Sequence, residues 1–286
     1  MASQCSRATD DIIRTVIHPI LKADGFTRTR RTWNRQRHGW VDVVIVQGGA
    51  GNYGPHCYFF INLGILVPEL YRLVNGREPP SLPIHDSWCT VHARAQDPIF
   101  PPGLGQWWNF NAAGDLDGFK ERVRQTMTTG VLPFFVRLQS LRDLHDVRTE
   151  PPWYPAIPWP YRAVINALTG DIAGAKQVLE QMYRLYQQGI DQIHGRGQET
   201  SLASYQRAQE TVRHLAAQYG IPLEVASDPP TGTGSPDSDQ GGGPLPSGRR
   251  RSRRRGGART GRSRASAGRD DQGARAPLWP GCSARW

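Results

Sequence analysis

The stretch from Leu21 to Gln47 constrains the fold more than any other, because the hydrophobic period changes within it. Up to Leu21 the apolar residues Ile12, Ile13, Val16, Ile17, Ile20 and Leu21 recur at three-to-four spacing, the pattern of an amphipathic helix. Thr9-Asp10-Asp11 supplies an acceptor side chain and acids where a helix begins. Pro19 sits inside the pattern and predicts a kink or a break. Gly25 then offers a left-handed stop. Phe26–Arg35 mixes β-branched, basic and aromatic residues and reads as a strand. Gln36–Gly39 is a polar turn, and Trp40–Val46 is an apolar run broken only by Asp42, as expected of a central strand.

The chain continues in the same manner. Cys57–Leu66 predicts a third strand with Tyr58, Phe60 and Asn62 on one face and Phe59, Ile61 and Leu63 on the other. Asp86–Ala95 and Gly105–Asn111 predict further strands. Leu116–Thr129 and Val131–Leu144 predict helices divided at Gly130. A proline-rich connector, Glu150–Pro160, leads to helices over Tyr161–Leu168, Ile172–Tyr186 and Thr200–Tyr219, the first two joined by Thr169-Gly170-Asp171. Segregated strands and helices of this order imply an α+β fold: an N-terminal helix, a four- or five-stranded mostly antiparallel sheet, covering helices and a small helical extension. The expected domains are residues 1–150, a helical extension over 151–227, and a disordered Arg/Gly/Pro-rich tail over 228–286.

Charge follows that division. The net charge is +10, but residues 229–286 hold twelve Arg against four Asp, which leaves only +2 on the rest of the chain. The part able to fold is therefore nearly neutral and carries no global field for nucleic acid. Only the run Arg249–Arg255 could bind nucleic acid by charge alone. None of Cys5, Cys57, Cys89 and Cys282 shows metal-ligand spacing, so free thiols and a reducing, cytoplasmic compartment are expected. No apolar run is long enough for a membrane span.

No phosphate loop, nucleophile elbow or zinc signature occurs, and no cofactor or metal is implied. Gly48–Gly54 joins two predicted antiparallel strands with no helix behind it, so it reads as a hairpin connection. The best polar constellation is Arg28, Arg35, Gln47 and Asn62 beside Trp33, since forked guanidinium groups near an indole suit a carboxylate or phosphate. Regular alternation puts Arg28 and Arg35 on opposite faces, so they converge only if a break lies between them. His56 and His92 fall on or beside predicted strands and are a candidate pair.

The order Leu21-Lys22-Ala23-Asp24-Gly25-Phe26, Arg28, Trp33-Asn34-Arg35, a strand ending in Gln47, and Ile61-Asn62-Leu63-Gly64 resembles the bacterial family known as domain of unknown function 4304, over about residues 10–141. The resemblance implies a cytosolic bacterial α+β domain and brings no catalytic residues with it. Members often carry a Ser or a polar pair after the Gln, where this chain has Gly48-Gly49. The functional expectation is accordingly a non-enzymatic binding or accessory protein that engages, and in one form neutralises, a protein partner. The alternatives are a small anionic ligand held by Arg28, Arg35, Gln47 and Asn62, and nucleic acid held by the tail.

Overall fold

The computed structural model describes residues 3–49, 52–95, 108–147, 157–193 and 199–224. The first helix begins earlier than the Thr9 signal. Ser3 caps it, its hydroxyl accepting from the Ser6 N–H at 3.1 Å, and α1 runs over Gln4–Ile12. It continues through a π-helical turn, Ile13–Ile17, into α2, His18–Ala23. Pro19 therefore does not break the helix. The wider turn ahead of it absorbs the missing N–H and the ring. Gly25, at φ +83°, ends the helix, and the Phe26 N–H reaches back to the Leu21 carbonyl at 2.9 Å in a Schellman closure.

The predicted strand Phe26–Arg35 is in fact a hairpin. β1 (Thr27–Thr29) and β2 (Thr32–Arg37) pair antiparallel, with Arg30 at the turn in the left-handed region at φ 58°. β3 (Trp40–Gly48) follows a second two-residue turn, His38-Gly39, both at positive φ. β4 (His56–Leu66) pairs with β3 along one edge. Its other edge is shared by β5 (Val91–Arg94) and β6 (Trp108–Asn111). All of these pairings are antiparallel, and the sheet has six strands among the described residues.

Helices bury the face carrying Trp33, Val44, Val46, Phe59, Ile61, Leu63 and Ile65. α4 (Leu116–Thr126) runs through a second π turn, Met127–Val131, into α5 (Leu132–Arg137). Gly130 is buried within that turn and does not stop the helix. The π turn stands before Pro133 as the first stands before Pro19, so one backbone device accommodates both prolines. The stop falls at Leu138 (φ −107°, ψ 84°), after which α6 spans Leu141–Val147. α7 (Trp159–Leu168), α8 (Ile172–Ile193) and α9 (Glu199–Gln218) extend the same apolar core through Val164, Leu179, Met182, Val212 and Leu215.

The opposite face is covered more thinly. Val41, Val43, Ile45 and Leu66 meet Tyr71 of α3 (Pro68–Asn75), together with Ile84 and Cys89 from the segment that follows. The approach is close: a Cβ at Gly64 would lie 2.4 Å from Cys89 Sγ. Asn34 ties this segment down, donating to the Ile84 carbonyl at 3.1 Å and accepting from the Ile84 N–H at 3.0 Å.

The cysteines require a correction. Cys5 lies on the buried side of α1 and is joined to Cys57 at the start of β4 by a disulfide. The helix starts earlier than its sequence signal, which brings Cys5 onto the sheet, so two of the expected free thiols form a crosslink. The inference of a reducing compartment loses its support at this pair. Cys89 is free and buried as expected; Cys282 lies outside the described residues.

Candidate functional site

The strand register distributes the five predicted site residues. Because Arg30-Arg31 is a turn, Arg28 lies opposite Trp33, and Arg28, Trp33 and Arg35 share the helix-covered face. Gln47 and Asn62 follow the parity of Ile45 and lie on the other face. The four polar side chains thus do not converge on one pocket. The sheet stands between the two groups.

Arg35 is fully engaged. Its Nε and Nη2 donate to Asp42 Oδ2 at 3.0 and 2.8 Å, and its Nη1 donates to Asp24 Oδ2 and, at 3.2 Å, to the Asp24 carbonyl. Arg37 donates from Nε to the same Asp42 oxygen at 2.6 Å and from Nη2 to the Leu138 carbonyl at 2.6 Å. The Asp42 side chain is 0% exposed, and the Arg35 guanidinium lies 4.6 Å from the centre of the Phe26 ring. Two arginines and two carboxylates therefore form a neutral clasp joining the end of α2, strands β2 and β3, and the end of α5. The signal for it was the single acid in the apolar run Trp40–Val46, opposite Arg35 once the hairpin is placed.

On the other face Asn62 is central. Its Nδ2 donates to Gln47 Oε1 at 3.0 Å, and its Oδ1 accepts from Arg94 Nε at 3.2 Å. Arg94 lies over Phe60, 4.9 Å from the ring centre. Gln47 and Asn62 are thus brought together as expected, with Arg94 and Phe60 as partners that the spacing of the first strands could not indicate.

His56 and His92 do not meet. They sit opposite Asn111 and Gly64, eight positions apart along β4, which is about 26 Å of strand. Among the described residues no three His, Cys, Asp or Glu side chains gather as metal ligands. His85 Nδ1 lies 2.6 Å from Asp86 Oδ1, and this hydrogen bond raises the imidazole pKa. Burial works to raise the Asp86 pKa, yet the bond from His85 and the nearby charges of His85 and His92 bring it below the ordinary carboxylate value. Burial pushes the Cys89 thiol well upward, with Asp86 and Asp42 adding to the shift, so this sulfur is a packing group and not a nucleophile. Trp88 packs on Tyr71 with ring centres 6.3 Å apart.

A concave feature lies beside the β2–β3 turn, at the end of the sheet. A groove of about 440 Å³ runs between Gln36–Val41 and the segment Pro79–Ile84. Val41, Leu66 and Ile84 form its apolar floor. Trp40, Pro68, Pro79, Pro80 and Leu82 form its walls, and Leu82 is 47% exposed. Pro68, Pro79 and Pro80 have no N–H, so this rim offers apolar rings and carbonyl acceptors.

Residues 17–137 match the family described as Domain of unknown function (DUF4304). This segment is a DUF4304 domain. The match takes in the helix end, β1 to β6 and the helices through Arg137, and so contains both the clasp and the groove. No curated protein and no solved structure matches the chain. No helix among the described residues is long and apolar enough to cross a membrane. The run Arg249–Arg255 lies outside the described residues.

Proposed function

We propose that this DUF4304 chain is a binding protein that takes an extended segment of a protein partner into the groove beside the β2–β3 turn. The observation that carries this reading is the groove's lining: an apolar floor, a proline-rich rim and the half-exposed Leu82 at its mouth. Such a surface suits an aliphatic side chain flanked by backbone N–H groups, which the rim carbonyls accept. Both walls are tied into the fold. Positive φ at His38 and Gly39 fixes the turn, and the two Asn34 hydrogen bonds to Ile84 hold the opposite wall. A preorganised groove loses little entropy on binding. Where the captured segment belongs to the partner's own working surface, occlusion neutralises the partner.

The test is selection from a random peptide library, followed by fluorescence anisotropy of the selected peptides. Peptides with an aliphatic anchor are expected, with affinity falling at least about tenfold in Leu82→Asp. Equal binding by wild type and L82D would remove the reading.

A further inference from the structure

On the helix-covered side of the sheet, His18 and Arg28 both meet the indole of Trp33. Trp33 is 0% exposed, and its indole Nε1 donates to His18 Nδ1 at 3.3 Å. Because an indole nitrogen only donates, Nδ1 of His18 is the acceptor, and the neutral ring carries its proton on Nε2, away from the tryptophan. Lys22 stands four residues further along α2 and so shares a helix face with His18. From β1, the Arg28 guanidinium lies over the indole, 5.1 Å from the ring centre. Its Nε donates to the Arg30 carbonyl at 2.6 Å, which fixes the fork and leaves both terminal nitrogens as donors. Burial lowers the His18 pKa, and the positive charges of Arg28 and Lys22 lower it further. Arg14, Arg31 and Lys120 each meet a carboxylate. Among the described residues Lys22 and Arg28 meet none.

We infer that His18 Nε2, Lys22 Nζ and the terminal nitrogens of Arg28 form a binding site for a phosphate group. A dianion there meets cations that no described carboxylate neutralises, and the guanidinium fork matches two of its oxygens. Arg28 is held by the indole and by the turn, so its orientation costs little on binding. This site is independent of the groove: it uses none of the groove's residues.

NMR of the full-length chain tests it, following the His18 Cε1–H and Trp33 Nε1–H signals during titration with inorganic phosphate, with acetate and chloride as parallel arms. Saturable phosphate-dependent shifts at both signals are expected, with a rise in the apparent His18 pKa as the anion offsets the two cations. Arg28→Ala and Lys22→Ala, both at exposed positions, should each weaken phosphate binding roughly fivefold to tenfold while leaving the spectrum otherwise folded. Shifts that do not saturate, or that chloride reproduces, would overturn the site. Equal saturation by acetate would overturn its assignment to phosphate, and unchanged affinity in both variants would overturn the assignment of its residues.

Discussion

Asp42→Ala is the sharpest perturbation of the fold. Asp42 Oδ2 receives three charge-assisted hydrogen bonds, two from Arg35 and one from Arg37, and its side chain is 0% exposed. The substitution leaves two guanidinium groups that are only 16% and 13% exposed facing each other, with Asp24 able to reach Arg35 alone. Breaking a buried pair by removing one partner costs about 3–5 kcal/mol. For a folded part of this size each kcal/mol moves the melting temperature by about 2–4 °C, so a fall of roughly 6–20 °C is expected by circular dichroism. Asp42→Asn keeps the volume and loses the charge, so it should recover only a minor part of the loss. A triple variant with Asp42, Arg35 and Arg37 all replaced by apolar residues should be more stable than Asp42→Ala, because it leaves no buried charge unpaired. A loss below about 1 kcal/mol in Asp42→Ala would refute the clasp as an element of the fold and return Arg35 to the list of ligand-binding candidates.

Other consequences are equally direct. Reducing or removing the Cys5–Cys57 link, which spans 52 residues, should lower stability by about 4 kcal/mol on the loop-entropy estimate; comparing wild type with Cys5→Ser in a urea titration checks this. Gly64→Ala should destabilise by about 1–3 kcal/mol because its Cβ would lie 2.4 Å from Cys89 Sγ, and adding Cys89→Ala should restore part of the loss. Burial lowers the His92 pKa, against the pull of Asp86 and a backbone bond. The unfolded state therefore binds more protons near the ordinary histidine pKa, and His92 favours folding above about pH 6.5 and loses that contribution as pH falls through the window below it. His92→Gln should flatten this dependence in melts from about pH 7 to pH 5. The His85–Asp86 pair has the opposite sign for its histidine, stabilising below about pH 6.5 and losing its effect as pH rises through the raised His85 pKa.

The α+β class was legible in the sequence because the period changed from helix to strand at Gly25 and because β4 alternates cleanly. Local backbone events were less legible. The turn at Arg30-Arg31 carries no glycine or asparagine, and so two strands read as one. That single turn moved Arg28 onto the face of Arg35 and made a clasp with Asp42 out of what had looked like a ligand site. The π turns before Pro19 and Pro133 have no residue signature, so Pro19 and Gly130 both read as places where a helix could break. Cys5 precedes the strongest helix-start signal, and nothing in its spacing to Cys57 pointed to a crosslink. The groove joins the β2–β3 turn to a segment some forty residues later, a contact that Asn34 and Ile84 make only in the folded chain.

The indole signal of Trp40, at the wall of the groove, tests the proposed function most directly. Titration of the chain with a selected aliphatic-anchored peptide should shift the Trp40 Nε1–H resonance and the amides of Ser81, Leu82 and Ile84 together, and Leu82→Asp should abolish these shifts at the same peptide concentration. A peptide that binds the chain while leaving Trp40 and the 81–84 amides unmoved would contradict the account.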